Sequence, residues 1–245
     1  MQIKDYQVVL LGVMIALGSV ASTFILSKAV VDFQKIQTQT IKVTGSASQN
    51  VTSDRSSWGF SFKTTKPTLK ECYAKLNQDK KVIEDFLKAN NINESDVEFG
   101  TIGNSENYRR TSNGYNTNEI ESYSAWRHVT VKSNETENLY KVARSIDSLI
   151  DKNIDLSSDD VQYFVSNLDD IKVKMVGEAA KNAQERAKSM VSGTKGKIGT
   201  MNSARMGVFQ IVPVDSTDVS DYGYNDTSSK EKKVVATVTA TFTVK

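Results

Sequence analysis

The chain has 245 residues, 38% hydrophobic and 24% charged, the composition of an ordinary globular protein. Its 31 Lys and Arg against 29 Asp and Glu leave a net charge of +2, which argues against a nucleic-acid binder because no excess of positive charge is available for a basic stripe. With one cysteine, Cys72, no intramolecular disulfide can form, and with one histidine, His128, no His/Cys zinc cage can be built.

Residues 8–27, VVLLGVMIALGSVASTFILS, carry no charge. About 20 residues of helix span about 30 Å, the thickness of a bilayer's hydrocarbon core. Lys4 before the run and the long polar sequence after it favour an inside amino terminus, with the polar domain outside the cytoplasm. A cleaved secretory signal is the competing reading, with residues 8–17 as its apolar core and Ser19-Val20-Ala21 as its cleavage site. Apolar residues continue past that site at Phe24, Ile25 and Leu26, and again at Ala29, Val30 and Val31, which favours an uncleaved anchor. Both readings export the polar domain. Residues 1–31 therefore read as an N-terminal transmembrane anchor or signal-anchor, 32–39 as a polar connector and 40–245 as an extracytoplasmic domain.

Strand-like alternation begins at Thr40 with Ile41, Val43 and Gly45, and breaks near Asn50. From Arg55 a second strand places Trp58, Phe60 and Phe62 on one face and Ser57, Gly59 and Ser61 on the other. Thr68 and Glu71 form a capping box that starts a helix bearing Leu69, Cys72, Tyr73, Leu76, Ile83, Phe86 and Leu87, which stops near Asn90-Asn91. On that apolar stripe Cys72 reads as a small buried hydrophobe. Residues 96–109 and 119–132 read as a hairpin with a long polar tip, RTSNGYNTN. Asn134 with Glu137 is expected to cap a helix carrying Leu139, Val142, Ala143, Ile146, Leu149 and Ile150. Val161, Tyr163 and Val165 alternate as a strand. A third helix, over 169–191, puts Ile171, Met175, Ala179, Ala183, Ala187 and Met190 on one side. Gly193, Gly196 and Gly199 end it, and strands near 200–212 and 233–244 close the chain. The order ββα, ββα, βα, ββ implies an α+β fold with helices packed on largely antiparallel sheet.

Four stretches in this order, IKVTGSASQNVTSDRSSWGFSF, AKLNQDKKVIEDFLKANNINESDV, ESYSAWRHVTVKS and KMVGEAAKNAQERAKSMVSGTKGKIG, resemble the SIMPL-domain family of bacterial envelope proteins, over almost all of residues 41–244. The resemblance implies an exported or envelope protein without an established reaction, loosely associated with stress tolerance, and it brings no catalytic residues. The uncleaved anchor and an extended loop near the end set this chain apart from simpler members.

The residues themselves offer little chemistry. His128 shares a strand face with Trp126 and Thr130, opposite Ala125, Val129 and Val131, and no nucleophile-elbow G-x-S-x-G accompanies it. The loop 215–226 gathers Asp215, Asp218, Asp221 and Asp226, oxygen ligands that calcium favours, in a spacing that fits no EF-hand. Turn-forming Asp, Ser and Gly account for the same composition. GTKGKIG follows a helix, whereas a phosphate loop precedes one. Tyr108 and Tyr115 in the hairpin tip, with Tyr222 and Tyr224 in the late loop, are candidate interaction residues, because tyrosine buries large area at interfaces and keeps a polar end. The expectation is a non-enzymatic, membrane-anchored envelope protein that self-assembles as a homo-oligomer or binds a partner, without a cofactor, metal or nucleic acid. A binding module for a small envelope ligand is the alternative.

Overall fold

The computed structural model describes residues 5–194, 196–217 and 220–245. After helix α1 (Asp5–Thr38) the elements are β1 (Thr40–Thr52), β2 (Arg55–Lys66), α2 (Leu69–Ala89), β3 (Val97–Arg110), β4 (Asn116–Ser133), α3 (Thr136–Ser145), β5 (Asp155–Ser158), β6 (Gln162–Phe164), α4 (Leu168–Ser192), β7 (Ile198–Met206), β8 (Gln210–Pro213), β9 (Tyr224–Asn225) and β10 (Glu231–Val244). One five-stranded sheet runs β3-β4-β2-β5 with β6 also on β2; the other runs β1-β10-β8-β9 with β7 also on β10. The pairings of β2, β3 and β4, and of β7 with β10, are antiparallel, and β8 with β9 is parallel. The α+β architecture is as expected, with two differences in detail. A short β5 joins β6, so three ββα units follow one another, and the strand expected over 200–212 is split into β7 and β8.

The chain divides into two compact units. The first comprises Met1–Ser48, Val173–Phe209 and Val235–Lys245. Its α1 is apolar over Gln7–Phe33, long enough to cross a membrane, and none of that stretch is buried against the protein. Ser19 Oγ donates to the Ile15 carbonyl at 2.6 Å and Thr23 Oγ1 to that of Ser19 at 2.8 Å, so both hydroxyls are satisfied within the helix, as an apolar solvent requires. The helix runs through 32–38, the segment expected as a connector. Lys4 lies outside the described residues. The core of this unit is made of Val43, Ala183, Ala187, Ala240 and Phe242, with Ile41 and Ile198 against it. A Cβ on Gly45 would collide with the backbone nitrogen of Ala183 and the carbonyl of Ala179, so α4 lies directly on β1 at this glycine. Ser46 N donates to Asn182 Oδ1 at 3.1 Å and Arg186 donates to the Thr44 carbonyl at 3.1 Å, which holds strand and helix together. Met190, expected on the packed side of α4, is exposed; Val191 is buried in its stead.

The second unit comprises Gln49–Lys172 and Gln210–Val234. Its core is one cluster around Trp58, Phe60 and Phe62 of β2, joined by Cys72, Leu76, Ile83 and Leu87 of α2, Ala125, Val129 and Val131 of β4, and Leu139 and Val142 of α3. The period of two on β2 and β4 and the helical period on α2 bring these side chains to one inner face. Trp58 and Phe60 are tilted ring on ring, 4.6 Å between centroids, and Trp58 Nε1 donates to Ser158 Oγ at 2.9 Å. Burying one aromatic of this size contributes about 1.5–3 kcal/mol. Thr68 and Glu71 form the expected capping box: Glu71 N donates to Thr68 Oγ1 at 3.3 Å and Thr68 N to Glu71 Oε2 at 3.1 Å. The expected cap at Asn134 is absent. The N-cap of α3 is Glu135, with no side-chain cap, and Glu137 is paired with Lys230. A 3₁₀ segment, Ile146–Lys152, follows α3 and ends at Asn153 in the left-handed conformation, φ 58°.

Candidate functional site

Of the four tyrosines expected to form an interaction surface, Tyr115 lies in the hairpin turn and Tyr222 in the late loop, whereas Tyr108 belongs to β3 and Tyr224 to β9, and no ring contact joins the pairs among the described residues. At the hairpin tip the turn is shorter than expected, 111–115. Gly114 N donates to the Thr111 carbonyl at 2.9 Å and Thr111 N to that of Tyr115 at 2.8 Å, while Gly114 supplies the positive φ of 81° the reversal needs. Tyr115 projects from this turn, 75% exposed. Tyr108 is less free. Its hydroxyl donates to Glu106, and that hydrogen bond and the carboxylate's charge push its pKa above the usual phenol value.

In the late loop Tyr222 is 97% exposed and Tyr224 is also exposed. What holds this loop is Asp226. Its carboxylate accepts from Ser228 N at 2.9 Å, Ser228 Oγ at 2.7 Å and Ser229 N at 3.2 Å, and lies 3.4 Å from Lys232 Nζ. Lys232 also donates to the Asp226 carbonyl, and both side chains are buried. Burial alone would raise the Asp226 pKa; the hydrogen bonds from Ser228 and Ser229 and the Lys232 charge outweigh it and bring it down to about 2. Burial pulls the Lys232 pKa down, against the pull of Asp226. The carboxylate considered as a calcium ligand is thus taken up by its own loop. Asp215 and Asp221 are exposed, Asp218 lies outside the described residues, and no group of three or more His, Cys, Asp or Glu side chains placed to hold a metal occurs among the described residues.

The remaining residues of interest are accounted for individually. Cys72 is fully buried and its thiol donates to the Tyr123 carbonyl at 3.1 Å, as a core residue would. His128 is exposed on the outer face of β4 and shares a hydrogen bond of 3.1 Å, through Nδ1, with Ser61 Oγ. A cavity of about 690 Å³ beside α2 is lined by charged Lys80, Glu84 and Lys88 and by Phe99, whose ring has Lys80 Nζ at 4.9 Å and the Arg127 guanidinium at 5.3 Å.

Strand β7 is the surface that sequence reasoning missed. It pairs with β10 through Val238↔Met206, Thr239↔Arg205, Ala240↔Ala204 and Thr241↔Ser203, and no other strand lies beside it among the described residues. Every residue from Thr200 to Met206 is exposed, Met201 and Met206 included, and Val208 continues the apolar stretch. Both faces and one hydrogen-bonding edge are therefore free. The mixed composition of β7 carries no alternation, so nothing in its pattern marks it as an edge.

No curated protein matches the chain. A family model described as "SIMPL: Protein of unknown function (DUF541)" matches residues 41–242, everything from the second residue of β1 almost to the end of β10. That match covers most of the 245 residues, and with the motifs of β1, α2, β4 and α4 in the same order, the chain belongs to the SIMPL family.

Proposed function

We propose that this chain is a non-enzymatic, membrane-anchored protein of the bacterial cell envelope whose domain lies outside the cytoplasm and acts by assembling with copies of itself. The observation that carries the reading is β7. A strand with an unpaired edge presents a row of free N–H and C=O groups, and proteins that stay monomeric blunt such edges with charge, proline or a covering element. Over 200–206 this strand has one charged residue, Arg205, no proline, and two exposed methionines. Antiparallel pairing of β7 with β7 of a second copy satisfies that edge and buries Met201 and Met206 in one isologous contact. The anchor supports the reading too, because confining copies to a membrane surface raises their effective concentration. The exposed Tyr222 and Tyr115 provide further contact area at low entropic cost.

The test is the mass of the full chain in mild detergent, by light scattering corrected for detergent, for the wild type and a Met201→Lys, Met206→Lys double variant. A defined multimer in the wild type and a monomer of unchanged melting temperature in the variant is the expected result. A monomeric wild type removes the reading. A multimer that survives the substitutions removes β7 from it and moves the contact to the helix or the tyrosine loops.

A further inference from the structure

The outer face of the β3-β4-β2 sheet is unlike any other surface of the second unit. The register of β2 with β4 and of β4 with β3 lines up Ser57, Ser61, Thr65, Ser122, Ser124 and Thr130 on it, with His128 and Trp126 between them. Several of these are fixed in place: Thr65 Oγ1 and Ser124 Oγ share a hydrogen bond of 2.9 Å, and Asn107 Nδ2 donates to Ser124 Oγ at 2.8 Å and to Ser122 Oγ at 3.0 Å. Trp126 lies across the neighbouring strand at its register partner Gly103, where an added Cβ would be 2.6–2.8 Å from indole Cε2, Nε1 and Cζ2. Only glycine lets the ring lie that flat against the sheet, and the indole remains 43% exposed. One step along β4, about 7 Å away at strand spacing, is His128. Over Gly59 the Asp159 and His128 side chains come together: a Cβ there would be 2.8 Å from Asp159 Oδ2, 3.0 Å from His128 Cε1 and 3.3 Å from His128 Nε2. An imidazole edge and a carboxylate oxygen thus stand side by side on this face, both on exposed residues, and the imidazole is oriented by Ser61.

We propose that this face binds a saccharide chain. A sugar ring has one face of C–H groups, which carry slight positive charge, and a rim of hydroxyls. The negative face of a flat, exposed indole matches the first. A carboxylate with an imidazole nitrogen matches the second, because together they accept from and donate to adjacent hydroxyls, and bonds to an ionised acceptor are the stronger ones. The rows of serine and threonine hydroxyls on either side extend the same chemistry along a chain of sugars. A lipid surface or an apolar protein patch fits poorly, since the residues around Trp126 on this face are polar: Lys63, its register partner on β2, His128, and the serine and threonine hydroxyls. This surface is not β7, so the inference stands apart from the assembly reading.

The experiment uses the full chain in a detergent without a sugar headgroup, titrated with tetra-N-acetylchitotetraose, cellotetraose and maltotetraose while tryptophan fluorescence is followed. The chain has two tryptophans, and Trp58 is fully buried, so a ligand-dependent change reports Trp126. A saturable response to at least one of the three is expected, weakened about tenfold in Asp159→Asn, the measure of one charge-assisted hydrogen bond; Trp126→Ala removes the reporter, so its binding is read by titration calorimetry beside the wild type and is expected to be lost. Trp126→Ala also uncovers Gly103, so Asp159→Asn, an exposed position, keeps the test valid if the first variant folds poorly. No saturable response to any of the three oligosaccharides overturns the proposal and leaves Trp126 as a shield for Gly103. An Asp159→Asn variant that binds like the wild type overturns it as well.

Discussion

The two units pack by opposite means. In one, β2 fills the space beneath α2 and α3 with Trp58, Phe60 and Phe62; in the other, β1 meets α4 with Gly45 against Ala179 and Ala183. Large side chains remove much apolar area from water and tolerate some distance between backbones. Glycine and alanine remove little area, but they let a helix approach a strand closely enough for backbone-directed hydrogen bonds, here Ser46 N to Asn182 and Arg186 to the Thr44 carbonyl. The first kind of core stores its stability in volume and the second in proximity. Each is therefore vulnerable to the opposite error, a hole in one and an extra methyl in the other.

The comparison breaks most visibly at the aromatic core. Phe60→Ala empties a fully buried site, and a loss of about 3–5 kcal/mol is expected in denaturant unfolding followed by tryptophan fluorescence. Both tryptophans belong to the same unit, so this signal reports that unit directly. Asp226→Asn comes next. Removing the carboxylate from a buried, hydrogen-bonded pair leaves the Lys232 charge buried and uncompensated, with the residue 226 carbonyl still accepting from it, at a cost of about 3 kcal/mol. Its pH dependence has a definite sign. The folded-state pKa of about 2 lies below the ordinary value of 3.8, so the contribution is present above pH 4 or so and is lost as pH falls toward 2. Wild-type melting temperature should fall over that window, and the Asn variant should show a flatter profile there. The smallest effect belongs to Gly45→Ala, at about 1–3 kcal/mol, because α4 must move off β1 to admit one methyl. Far-UV circular dichroism should register it, and a tryptophan signal that shifts less than the dichroism would sharpen the distinction between the units.

Much of this architecture is legible in the chain because it depends on local pattern. The alternation of Trp58, Phe60 and Phe62, the T-x-x-E box at Thr68 and the spacing of Cys72, Leu76, Ile83 and Leu87 each encode an element and the face it buries. The cap expected at Asn134 does not form: the helix has Glu135 at its N-cap, and Glu137, the residue that would complete the box, is paired with Lys230, 93 positions away. Strand β5, sequence DLSS, has one apolar residue, and it is a strand only because the β2 backbone from Lys63 to Phe60 offers it hydrogen bonds. Asp226 has the local signature of a turn former or a calcium ligand, and nothing nearby in the chain reveals that Lys232 folds back upon it.

The sequence by itself determined the apolar segment that begins the chain, the helices and main strands and the aromatic core, all of which depend on composition and periodicity within short windows, and the order of its motifs carried the resemblance to the SIMPL family. The tertiary structure alone decided that β7 is among the strands left with a free edge, which polar groups are buried together and which side chains share the outer face with Trp126. Those outcomes depend on strand order and register, which bring residues far apart in the chain to within a few ångströms, and no period in the sequence records such a meeting.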